Sequence, residues 1–85
     1  MQETHENRLK RLQIRCWRRG TKEMDLLMGP YADQAIADLS TEELDAFESL
    51  SNEDDNDLYL WVSGAAEMPD RHVAAIVRLR KFHKI

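Results

Sequence analysis

An all-α fold is what this sequence predicts, and three observations predict it. Apolar residues recur near the helical period, as in Leu9, Leu12 and Cys16 and again in Met24, Leu27, Met28, Tyr31 and Ala35. Glycine and proline are scarce, three and two in 85 residues, which favours long regular elements over turns. A complete helix-start signal stands at Leu39-Ser40-Thr41-Glu42-Glu43-Leu44, a capping box framed by a hydrophobic staple. The expected architecture is a compact single-domain bundle of five helices with short connections over residues 1–85, with residues 1–4 frayed.

The first helix is expected from about Glu6 to Arg19, with Arg8, Lys10, Arg11, Arg15 and Arg18 on its polar face. Gly20 suits the position just past a helix end, where positive φ is needed. Thr21 can cap the second helix, and Glu23 and Asp25 fall in its first turn, where the helix dipole favours acids. Gly29-Pro30 interrupts this helix, yet the apolar stripe keeps phase from Leu27 through Tyr31 to Ala35. One kinked helix to about Leu39 is expected, with a restart at Pro30 as the alternative. The third helix follows the capping box and ends near Ser51, with Leu44, Phe47 and Leu50 inward. Asp55 is the expected N-cap of the fourth, which carries Leu58, Trp61 and Val62 and stops at Gly64. Pro69 suits the first turn of the fifth, whose inner side is expected to hold Val73, Ile76, Val77 and Arg80, with Leu79 alongside. Tyr31, Phe47, Tyr59, Trp61 and Phe82 have core-like spacings.

The net charge of −4 hides a segregated pattern. Residues 1–22 balance at +5, residues 23–67 at −13 without one Lys or Arg, and residues 68–85 at +4. Two basic ends flanking an acidic centre either attract each other or read a charged partner. A basic helix before a tight turn invites a nucleic-acid reading. The helix after the turn, however, holds no Lys or Arg, and the acidic centre would repel phosphate, so no nucleic-acid partner is expected. No apolar run is long enough for a membrane span, so no insertion is expected. The N-terminal Met-Gln-Glu-Thr-His-Glu-Asn has neither a signal-peptide core nor presequence character, and a bacterial cytoplasmic chain, or else a mature form, is expected.

No catalytic apparatus emerges. Cys16 is the one cysteine, no histidine is spaced to activate it, and a small buried hydrophobe is its expected role. Three scattered histidines have no zinc spacing, and the run Glu53–Asp57 lacks the glycine and closing glutamate of a calcium loop. No GxGxxG or P-loop marks a nucleotide or FAD site. The chain is expected to be no enzyme, to bind no cofactor or metal of its own, and to work by binding a protein. Trp17 stands between a core role and partial exposure, because tryptophan beside arginine is favoured at interface hot spots.

Arg19-Gly20-Thr21-Lys22-Glu23, placed between two helical stripes, matches an RGxxE pattern. Cys16-Trp17-Arg18 leads in, and Met24-Asp25-Leu26-Leu27-Met28 leads out. Further on stands Asp54-Asp55-Asn56-Asp57-Leu58-Tyr59-Leu60-Trp61-Val62-Ser63-Gly64. With these residues the chain resembles, from roughly Asn7 to Phe82, the SdhE or succinate dehydrogenase assembly factor 2 family. The family often has proline where this chain has Asn56, a departure that bears on helix initiation. The resemblance implies a chaperone for the flavoprotein subunit of succinate dehydrogenase, and in some bacteria of fumarate reductase, that promotes covalent attachment of FAD to that client. It implies a partner-binding surface at Arg19, Gly20 and Glu23, with Arg18, Trp17, Asp54, Asp55 and Asp57 as further contributors. Glu23 either meets donors on the client or orders Arg19. A free monomer is expected. Two other classes were weighed: an antitoxin-like or regulatory partner protein, and a thiol enzyme using Cys16.

Overall fold

The computed structural model describes residues 3–85, which form five α-helices, two short 3₁₀ turns and no strand. Met1 and Gln2, part of the segment expected to fray, lie outside the described residues. Thr4 and Glu3 have definite roles. Thr4 Oγ1 accepts the Asn7 N–H at 3.1 Å as N-cap of the first helix, and Arg11 donates twice to the Glu3 carboxylate at 2.8 and 3.0 Å. The chain divides at Leu39 into two compact units.

In the first unit, helix α1 spans His5–Cys16, helix α2 spans Lys22–Gln34, and a 3₁₀ turn covers Ile36–Asp38. The buried side chains of this unit are Leu12, Cys16, Met24, Met28, Tyr31, Ala32 and Ile36; Leu12, Cys16, Met24, Met28 and Tyr31 lie on the expected stripes, whereas Leu9, Leu27 and Ala35 are only half-buried and Ala32 and Ile36 take the core places beside them. Helix α1 ends at Cys16, three residues short of the expectation. The Trp17 N–H is shared between the Gln13 and Ile14 carbonyls at 3.2 Å each, and the Arg18 N–H bonds Arg15 at 3.2 Å, so the last turn tightens. The Arg19 N–H then leaves the helix for the Asp25 carboxylate. Gly20 keeps its positive φ of 110°, but in the turn and not directly behind the helix. Helix α2 runs unbroken through Pro30, as one helix and not two, and ends at Gln34. From there the amides of Asp38 and Leu39 bond back three residues, the 3₁₀ pattern, and carry the chain to the extended Leu39.

In the second unit, helix α3 spans Thr41–Ser51, helix α4 spans Asp55–Ser63, a 3₁₀ turn covers Asp70–His72, and helix α5 spans Val73–Phe82. Helix α5 packs on both α3 and α4. The predicted capping box is complete: Ser40 Oγ accepts from Glu43 N at 3.1 Å, and Glu43 Oε1 accepts from Ser40 N at 2.9 Å. Arg78 of α5 reaches Glu43 at 3.1 Å, and Arg71 reaches Glu53 at 3.2 Å. The acidic α3 region thus attracts the basic C-terminal segment within this unit, although such partly exposed pairs contribute only about 0.2–1 kcal/mol each.

Several expectations fail in this unit. Asp54, not Asp55, caps α4, because its carboxylate reaches the Asn56 N–H at 3.0 Å and its backbone is extended. Pro69 precedes a 3₁₀ turn in place of opening α5, and that turn buries His72 beside the Trp61 ring, centroid to centroid 5.7 Å. The buried stripe is therefore His72, Ala75, Ile76 and Leu79, one residue earlier than expected, and Val73 lies exposed. Tyr59 is also exposed, since Leu58 and Val62 supply the buried face of α4. Trp61 and Phe82 are half-buried. A one-residue shift in the buried stripe or in a cap rotates a helix face by about 100°.

Candidate functional site

The residues between α1 and α2 form a corner whose shape is held from within. Thr21 is extended and its Oγ1 accepts the Met24 N–H at 3.3 Å, the N-cap bond that starts α2. Asp25, in the first turn of α2, accepts the Arg19 N–H through Oδ1 at 2.6 Å. Such a charge-assisted bond is short and strong, and it also places an acid at the positive end of the helix dipole. Gly20 lies between these two fixtures, and its φ of 110° is a conformation that side-chain-bearing residues rarely adopt.

Five of the expected site residues therefore come together: Trp17, Arg18, Arg19, Gly20 and Glu23 surround one turn of the first unit. The Glu23 carboxylate is exposed and makes no hydrogen bond or ion pair among the described residues; the Arg19 backbone is ordered by Asp25. Arg18 is exposed as well, and Arg19 is half-buried. Asp54, Asp55 and Asp57 belong to the second unit. There Asp54 is the N-cap and Asp55 and Asp57 are first-turn acids of α4, a structural role that accounts for the type of all three.

Trp17 is 39% exposed and forms the closing wall of the corner. Its indole N–H donates to Asp33 Oδ2 at 3.0 Å, and its ring covers Gly29 of α2. Sequence reasoning missed three residues here. Asp25 was seen only as a dipole acid, Gly29 only as a helix interrupter, and Asp33 not at all. The spacing Gly29–Asp33, one turn on one helix face, was the available signal, but nothing in the sequence tied it to Trp17.

Cys16 stands directly behind this corner and is fully buried; desolvation pushes its thiol up to about 11. A buried thiol held protonated at neutral pH is a poor nucleophile, and the small-hydrophobe role fits it. Among the described residues no three His, Cys, Asp or Glu side chains gather as a metal site.

Comparison with known proteins agrees with the motif. A family model described as flavinator of succinate dehydrogenase matches residues 10–83. The chain is 39% identical over 69 residues to the FAD assembly factor SdhE of Idiomarina loihiensis, covering 81% of this chain and 76% of that one. It is 38% identical over 69 residues to the FAD assembly factor SdhE of Colwellia psychrerythraea, covering 81% and 75%. It is 31% identical over 80 residues to the mitochondrial succinate dehydrogenase assembly factor 2-B of Drosophila mojavensis, covering 92% of this chain but only 51% of the fly protein. The chain thus spans about half the length of that relative. No solved structure gives a significant match.

Proposed function

The chain belongs to the succinate dehydrogenase flavinator family, and from that premise we propose that it binds the flavoprotein subunit of succinate dehydrogenase and promotes covalent attachment of FAD to it. The observation that carries this reading is the state of Glu23. The corner is held by Thr21 and Asp25, so Glu23 is left exposed and uncommitted at the start of α2. A charged group that makes no hydrogen bond or ion pair among the described residues is available to a partner.

The working surface is Arg19, Gly20 and Glu23, with Arg18 and Trp17 at its border. Gly20, without a side chain, lets a partner backbone approach closely. Glu23 accepts from donors on the client. The Arg19 guanidinium, a planar fork, suits carboxylate or carbonyl groups. Asp54, Asp55 and Asp57, at the start of α4 in the second unit, are further contacts for the client in this reading. The new bond joins FAD to a histidine of the client, and the chemistry belongs to the client and its flavin. The chain acts as a non-enzymatic chaperone that binds no FAD of its own. Holding the client so that flavin and histidine meet in a reactive geometry lowers the barrier by removing orientational entropy, a contribution of up to several kcal/mol. The fumarate reductase flavoprotein is a second client of the same chemistry. The free protein is a cytoplasmic monomer in this reading. No helix among the described residues is long and apolar enough to cross a membrane.

The test reads covalent flavin on the succinate dehydrogenase flavoprotein subunit, as fluorescence in a denaturing gel, from cells lacking this gene. Wild-type protein should restore the band, and Glu23→Ala should not, while retaining its helical circular dichroism. Equal flavin in every lane would sink the assembly role and return the regulatory-partner reading.

A further inference from the structure

Trp17 is not held by the RGxxE segment. The bond shared by the two indole rings sits over Gly29, where an added Cβ would collide with Cδ2 and Cε2 and fall 2.8 Å from Cε3. One turn further along the same face, Asp33 takes the indole N–H. A glycine in a helix interior is destabilising relative to alanine, so its place here calls for a cause, and the cause is space for this ring. The ring is thus fixed at two points, its face over Gly29 and its N–H edge on Asp33, yet 39% of the residue is exposed.

Two more large apolar side chains are exposed within a helical turn, in sequence, of Trp17 or of its seat at Gly29. Ile14, three residues earlier on α1, is 56% exposed, and Leu26, three residues before Gly29 on α2, is 50% exposed. Arg15, Arg18 and Lys22 are exposed around this patch, and none makes a side-chain hydrogen bond or ion pair among the described residues. An apolar centre with an uncommitted cationic rim is complementary to an apolar recess bordered by carboxylates.

We propose that Trp17, locked by Gly29 and Asp33, is the apolar anchor with which this chain grips the flavoprotein subunit, and that it enters a recess of that client rimmed by acidic side chains. The proposal rests on the assembly role above and gives its surface a centre outside the RGxxE residues. A tryptophan already fixed in one rotamer loses little side-chain freedom on binding, and a buried tryptophan is the residue type most often dominant at interfaces. Gly29 and Asp33 are positioning residues that act through the ring.

The test measures binding of purified flavoprotein subunit by calorimetry, with circular dichroism and sedimentation of each variant as controls. Trp17→Ala should weaken binding by roughly 30-fold or more. Gly29→Ala should weaken binding in the wild-type background by displacing the ring, and should add nothing to Trp17→Ala, since both act on one element. Asp33→Asn, which keeps an accepting oxygen, should bind nearly as wild type, and Asp33→Leu should bind more weakly. Wild-type binding that Trp17→Ala leaves unchanged overturns the anchor and spares the assembly role. No binding by wild type overturns the assembly role itself. Concentration-dependent dimerisation that Trp17→Ala abolishes identifies a second copy as the occupant and also overturns the proposal. Should Trp17→Ala fail to fold, Trp17→Phe and Asp33→Leu carry the same test, because both leave a large side chain over Gly29.

Discussion

Two glycines of this chain adopt positive φ after a helix, and they are not alike. Gly64, φ 85°, directly ends α4: its N–H bonds the Trp61 carbonyl at 3.3 Å, and open space surrounds the position a Cβ would occupy. Gly20, φ 110°, lies four residues past the end of α1, in a turn fixed by the Asp25 carboxylate on one side and the Thr21 cap on the other. The first is a local helix stop that needs only a residue able to turn left-handed. The second is held by side chains that belong to the next helix, and close to it an acid, Glu23, stays exposed in the first turn of α2 with no hydrogen bond or ion pair among the described residues. The contrast teaches how to tell a corner that merely ends a helix from one that presents a surface. In the latter, the groups that shape the turn and the groups that remain exposed are different residues.

The sharpest way to break the contrast is to substitute both glycines. Gly20→Ala should cost about 1–3 kcal/mol through its backbone and also abolish flavin attachment to the client. Gly64→Ala should cost about 1 kcal/mol, read as a lowered denaturation midpoint, and leave flavin attachment intact. Equal functional loss in both would mean that stability, and not the corner, limits the activity.

Removing the shaping groups should give smaller effects. Thr21→Ala and Ser40→Ala each delete an N-cap oxygen and should each lower stability by about 1 kcal/mol in chemical denaturation. Only Thr21→Ala should also weaken client binding, because only it loosens the corner.

The smallest effects concern pH. The Cys16 thiol, raised by burial to about 11, favours the folded state fully below the unfolded thiol range, and that contribution is lost as pH rises through the folded value. Wild-type stability should therefore fall more steeply than that of Cys16→Ala between about pH 9 and 11. Parallel curves would mean that the thiol is not desolvated. The Ser40 backbone N–H, followed by Arg78, holds the Glu43 carboxyl below the usual carboxylate range. Its contribution is present above the unfolded carboxylate pKa and lost as pH falls through the lowered one, so Glu43→Gln should flatten the acid limb of the stability curve.

What the sequence determined by itself was whatever depends on neighbours along the chain. The all-α class, the Ser40–Glu43 capping box, the Thr21 cap, the Gly64 stop and the burial of Leu12, Cys16, Met24, Met28 and Phe47 all rest on spacings of three or four residues, and these are visible in a string. The RGxxE corner was legible in the same way. What only the tertiary structure decided involves residues that meet across the turn or across helices. Helix α1 stops at Cys16 because Asp25, nine residues on, captures the Arg19 amide and Asp33 pins the Trp17 indole. Gly29 reads as an interrupter in sequence and is a seat for a ring in space. His72 has no place on the inner side expected from the sequence and is buried beside Trp61, which turns the α5 stripe by one residue. The physical reason is common to all three. A helical period fixes which face a residue lies on, but the partner that face meets is set by packing, and a single hydrogen bond or ring contact from another helix is enough to move a helix end or rotate a face.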